Sequence, residues 1–218
     1  MNARHDPGQR GFTLLEITIV LAVMAILGLI LAPSIVSFLN QSRLARAEND
    51  VRRIADAVVA FVEDNGFHPQ WADGQRTTRI QLLVSPGAAG TAQPGAESWL
   101  NTQPGAIDLI SNQLVNNRPS FGATGYPLKT ALSGTGWNGP YLASHLPEDP
   151  WGNRYVINVE HLSNSIDAME ADGVQEKRAV WVLSAGPDGV FDTAYPTSST
   201  QLRSNAIASP ADISARIQ

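Results

Sequence analysis

Hydrophobic positions crowd one end of the chain. Residues 12–39 form a run of twenty-eight in which the only ionisable side chain is Glu16. A helix of that length is roughly 40 Å long and exceeds the roughly 30 Å hydrocarbon core of a bilayer. After it the pattern changes. Leu44, Ala47, Val51, Ile54, Val58, Phe61 and Val62 recur at three and four, the stripe of an amphipathic helix. Arg43, Arg46, Glu48, Asp50, Arg52, Arg53, Asp56 and Glu63 mostly take the other side, a face expected to be solvated. Asn65-Gly66, with Pro69 just beyond, stops the pattern. The spacing therefore predicts one helix from Phe12 to Asn65, roughly 80 Å long, apolar all round in its first half and two-faced in its second.

Past residue 66 the elements are short. Ile80, Leu82, Leu83 and Val84 predict a short helix or strand. Residues 86–96 have loop composition, and Ile107 to Asn117 predicts a short helix with Ile107, Ile110 and Leu114 on one side. Residues 67–136 together read as a connecting region. Arg154–Val159 and Ala179–Leu183 are rich in Val, Ile and aromatics and predict strands, joined through a long polar loop at 160–177. Val180-Trp181-Val182-Leu183 is apolar on both faces, which predicts one face on the long helix and the other under loops. The fold class is α+β: a long helix packed on a small antiparallel sheet, with a loop-rich carboxyl-terminal region.

Composition narrows the function. The formal charge is −5, and the first eleven residues (Arg4, Asp6, Arg10) carry +1, so the body is acidic and unsuited to nucleic acid. The absence of cysteine removes disulfides, thiolate zinc sites and cysteine nucleophiles. Gly134-Thr135-Gly136-Trp137-Asn138-Gly139 matches G-x-G-x-x-G, but Pro140 follows and no apolar strand precedes, so it reads as a turn. His68, His145 and His161 lack metal-ligand spacing, and nothing in the sequence joins Ser184, His161 and Asp188 into a triad. No enzyme reading follows.

The amino terminus accounts for Glu16. Arg10-Gly11-Phe12-Thr13-Leu14-Leu15-Glu16 resembles the processing signal of type IV pilins and pseudopilins. The resemblance implies cleavage after Gly11 by prepilin peptidase and methylation of the new amino terminus at Phe12. It also implies that Glu16 pairs with the amino terminus of a neighbouring subunit, and that Pro33 is the helix-loosening proline of the filament. The physics suits these roles. Glycine leaves a scissile bond accessible. A carboxylate inside an apolar helix is costly unless paired. Proline removes one helical hydrogen bond, and Gly28 adds to the weakness. The implied layout is a leader over 1–11, a membrane-spanning polymerisation helix over 12–36, its amphipathic half over 37–66, the variable connector over 67–136, and the sheet and loops over 137–218.

A second resemblance lies near the other end. Gly136-Trp137-Asn138-Gly139-Pro140-Tyr141-Leu142 and Leu146-Pro147-Glu148-Asp149-Pro150-Trp151-Gly152-Asn153-Arg154-Tyr155 are similar to the turn-and-aromatic pattern of the type II secretion major pseudopilin. Pro and Gly set turns, while Trp137, Tyr141, Trp151 and Tyr155 bury area. Ser184-Ala185-Gly186-Pro187-Asp188-Gly189 aligns with a family loop that holds calcium. That likeness implies calcium ligation by the Ala185 carbonyl, Asp188, Asp192 and Asp212, although the family's adjacent acidic pair is absent. No cofactor is required beyond such a structural ion. The whole implies a subunit of a periplasmic pseudopilus. It would be anchored in the bacterial inner membrane by a single pass, with its carboxyl-terminal domain in the periplasm. The implied partners are prepilin peptidase, copies of itself, other pseudopilins, and an inner-membrane platform with a cytoplasmic ATPase. The alternatives are a type IV pilus, competence or minor pilin subunit, and a membrane-tethered binding module.

Overall fold

A run of apolar, straight-chain and alanine-rich residues with no glycine after Gly28 forms a single helix, α1, over Leu14–Asn65. The computed structural model describes residues 11–94, 96–100, 107–119, 124–143, 148–159, 180–193 and 212–217. The expected leader (apart from Gly11) and the 160–177 loop lie outside them. Helix α1 runs unbroken through Gly28 and Pro33. Proline removes one ladder bond and leaves its neighbours intact. The helix ends where the sequence stops it. Gly66 adopts a positive φ of 72°, a conformation that glycine takes without a Cβ penalty, and the Asn65 side chain donates to the Phe61 carbonyl at 2.8 Å.

The chain divides into two units, Met1–Ser42 and Arg43–Gln218. In the first, every described side chain is exposed. In the second, the carboxyl-terminal half of α1 lies against a five-stranded sheet in the order β3-β1-β4-β5-β7. The strands are β1 (Leu82–Val84), β3 (Ile107–Leu109), β4 (Val156–Ile157), β5 (Val180–Ser184) and β7 (Ile213–Ile217). The α+β class holds. The sheet, however, is mixed, because β1 and β3 run parallel while the other pairs are antiparallel. Residues 107–109, expected to start a helix, are that parallel edge strand. Only Ile110–Leu114 is helical, as α2. Their pairing with β1 supplies backbone partners that a short isolated helix cannot.

Alternation along each strand sorts side chains to two faces. Leu83, Ile157, Val180 and Val182 join Val51, Ile54, Val58 and Phe61 of α1 in one core. Leu82, Val84, Val156 and Leu183 point the other way and form a second core with Trp99 and Phe191. The cover over that second face is a parallel pair, β2 (Thr91–Ala92) with β6 (Val190–Phe191). The 67–136 region thus contributes strands to both sheets rather than merely connecting them. The G-x-G-x-x-G stretch is a turn: a Cβ on Gly136 (φ 143°) would stand 2.6 Å from the Lys129 nitrogen.

Candidate functional site

Two regions carry the candidate residues. The first is the start of α1. The Thr13 hydroxyl accepts the Glu16 backbone N–H at 3.2 Å, so Thr13 caps the helix and Glu16 stands in its first turn. A carboxylate there also complements the helix dipole. Gly11 has nothing within 4 Å of where a Cβ would stand, and Phe12 is 78% exposed. Leu15, Ile19, Met24, Ile30 and Phe38 are likewise exposed, an apolar surface that needs lipid or other chains to cover it. Helix α1 is long and apolar enough to cross a membrane.

The second region is built on the aromatic turn motif. Asp149 is buried and organises it. Its Oδ1 accepts the N–H groups of Trp151 and Asn153 at 2.9 and 2.8 Å, and its Oδ2 accepts the Ser184 hydroxyl at 2.6 Å. Ser184 in turn accepts the Gly186 N–H at 3.1 Å, tying the turn to the end of β5. Tyr155 reaches α1, where its hydroxyl donates to Asp50 Oδ2 at 3.2 Å. Asp50 is also approached by Arg46 and Arg53 at 3.7 and 3.5 Å. Asp50 was expected on the solvated face and is instead buried. Burial, then the nearby Asp50 charge, pushes the Tyr155 hydroxyl pKa up, which keeps it a neutral donor. Sequence reasoning treated these aromatics as core and gave no role to Asp149, Ser184 or Asp50. The signal present was Asp followed by Pro, an Asx-turn pattern.

Of the four residues expected at a metal, Ala185 is buried and Asp188 and Asp192 are exposed. Asp188 Oδ1 accepts the Val190 N–H at 3.1 Å. Asp212 is 6% exposed, and its Oδ2 accepts the N–H groups of Asp192 and Thr193 at 3.0 and 2.6 Å. Its Oδ1 has no partner, and burial raises its pKa to about 6. Among the described residues no three His, Cys, Asp or Glu side chains gather as a metal-holding group. Calcium takes six to eight oxygens, and the buried, unpaired Asp212 Oδ1 is an oxygen that such an ion would take up.

Comparison with known proteins agrees with both regions. A family profile for the prokaryotic N-terminal methylation motif matches residues 6–32. A profile for type II secretion system protein G matches residues 126–194, which include the aromatic turns and the loop after β5. The two matches liken the chain to type IV pilin-like proteins, G-type pseudopilins among them. This pseudopilin-like chain is 25% identical to the type II secretion system core protein G of Pseudomonas aeruginosa, over 76% of its own length and 85% of the relative's. It is 25% identical to the core protein G of Escherichia coli, over 87% and 90% respectively. It is also 28% identical to the type IV major pilin protein PilA of Myxococcus xanthus, over 50% and 52%. No solved structure matches. The match to the methylation motif falls on the one helix, among the described residues, that is long and apolar enough to cross a membrane.

Proposed function

We propose that the chain is a structural subunit of a type II secretion pseudopilus that supports protein export across the outer membrane. Prepilin peptidase cuts after Gly11 and methylates Phe12. The mature chain then sits in the inner membrane with its domain in the periplasm. It polymerises through α1 with other copies and with other pseudopilins, driven by an inner-membrane platform and a cytoplasmic ATPase. Glu16 pairs with a neighbour's amino terminus and sets the register, and Pro33 lets the helix loosen in the filament. No bond chemistry and no cofactor is needed for this role. The observation that carries the reading is the fully exposed apolar stretch of α1, which bears Glu16 as its single charge among residues 12–39. Such a surface is stable only when covered, and its lone carboxylate calls for a positive partner.

The test is the extracellular proteome of a deletion strain against its complemented parent, with surface fibres counted in the same cultures. Exoproteins trapped inside the cell, with fibres normal, are the expected result. The likeness to a type IV major pilin supports a second reading, a pilus or competence subunit. An unchanged secretome with fibres, motility or DNA uptake lost would move the protein there.

A further inference from the structure

The hairpin that follows α1 holds two guanidiniums against aromatic rings. Residues 70–80 close on themselves: the Ala72 N–H donates to the Thr78 carbonyl at 2.7 Å and the Ile80 N–H to the Gln70 carbonyl at 2.9 Å. Asp73 ties the tip. Its Oδ1 accepts the Thr77 N–H at 3.0 Å, and its Oδ2 accepts the Thr78 N–H at 3.0 Å and the Thr77 hydroxyl at 2.7 Å. Phe67 and Trp71 pack against the first core. The Arg76 guanidinium stands 4.7 Å from the Phe67 ring centroid, and that of Arg79 stands 5.2 Å from the Trp71 ring. A guanidinium on a ring face keeps its edge N–H donors free and has lost part of its motion before any partner arrives. Both arginines are exposed, and neither takes part in an ion pair among the described residues.

The second half of α1 holds the complement. Of its five carboxylates, three have a cation within the chain: Glu48 with Arg52 at 3.8 Å, Asp50 with Arg46 and Arg53, and Asp64 with Lys129 at 2.6 Å. Asp56 and Glu63 are exposed and join no ion pair among the described residues. They stand two turns apart, so they share one face of the helix about 10 Å from each other. A single exposed pair contributes little, but two preset guanidiniums meeting two carboxylates on a rigid helix form a network that also fixes orientation.

We propose that the 70–80 hairpin is a contact surface for a second copy of this chain, with Arg76 and Arg79 donating to Asp56 and Glu63 on the neighbour's α1. The contact presupposes that the chain assembles, as proposed above. Hairpin and helix face are different parts of one chain, so the contact is heterologous and can continue from copy to copy.

The test uses the full chain in the cells that assemble it. Wild-type multimers trapped with formaldehyde report assembly itself. The chain has no cysteine, so a double variant carries only the two thiols placed in it. Arg79→Cys with Asp56→Cys, and Arg79→Cys with Glu63→Cys, are treated with a short bis-maleimide. A ladder of linked copies is expected from at least one pair, with nothing beyond dimers from the single variants. Arg76→Glu with Arg79→Glu is expected to lower formaldehyde-trapped multimers about tenfold, because like charges then face each other. Adding Asp56→Arg and Glu63→Arg is expected to restore them. Melting temperatures of the full chains in micelles check that each variant folds. Wild-type multimers without a ladder from either pair overturn this contact alone, and so do undiminished multimers in the arginine double variant. Absence of wild-type multimers overturns the contact together with the assembly reading.

Discussion

His68 illustrates how a single side chain can record the fold. It follows the end of α1, its Nδ1 is buried without a partner, and burial lowers its pKa from the usual 6.5. The folded state resists a proton that the unfolded state accepts. Stability is therefore full above about pH 6.5 and falls as the pH drops below it, because the unfolded state then binds more protons. His68→Gln is expected to flatten that slope, as read from the denaturation midpoint between pH 5 and 8. Asp149 makes a complementary point. Its three accepted hydrogen bonds satisfy the donors of a tight turn and of β5, so a residue that reads as part of a Pro-rich loop is a buried organiser. Nothing local distinguishes it from a solvent-exposed turn aspartate. The difference is Ser184, thirty-five residues away.

At the level of elements, the second half of α1 owes its place to one face. Phe61 is fully buried, with edge-on contacts to Phe67, Tyr126 and Tyr141 at 5.8, 5.3 and 5.5 Å between centroids. Phe61→Ala is expected to cost about 3–5 kcal/mol, the range for deleting a buried aromatic, measured by chemical denaturation of the full chain in micelles. The helix was legible because its signal repeats over more than ten turns and its stop is marked by Asn65-Gly66. β4 and β5 were legible from their Val, Ile and aromatic content. β2 and β6 were not, since each is two residues long and exists only by pairing with the other. β3 misled for the same reason: Ile107-Asp108-Leu109 suits helix or strand, and β1 decided. β7, which extends the sheet beyond β5 at the far end of the chain, also went unread.

For the molecule as a whole, the exposed apolar face of α1 and the packed domain are separate liabilities. Glu16 lies in the first unit, and both cores are built from residues of the second. Glu16→Ala is therefore expected to leave the domain's melting temperature unchanged and membrane insertion intact, while filaments are lost. Fibre counts and a membrane-fraction blot of the same cells check both halves. Filaments at wild-type levels would favour a membrane-tethered module over an assembling subunit.

What the chain determined by itself is everything set by neighbours in sequence. That includes the long helix and its change from apolar to amphipathic, the Gly66 stop, the glycine turns, and the exposed junction at Gly11-Phe12. Periodicity and backbone freedom are local properties, so local residues suffice to read them. Tertiary structure alone decided the mixed sheet, the Asp149–Ser184 and Tyr155–Asp50 bonds, and the hydrogen bonds of Thr91, Gln93 and Trp99 to the loop after β5. Those depend on which backbone groups meet across tens of residues. A carbonyl in a turn can accept from water, a cation or a distant N–H with little preference written into its own sequence, so only the packed chain shows which partner arrived.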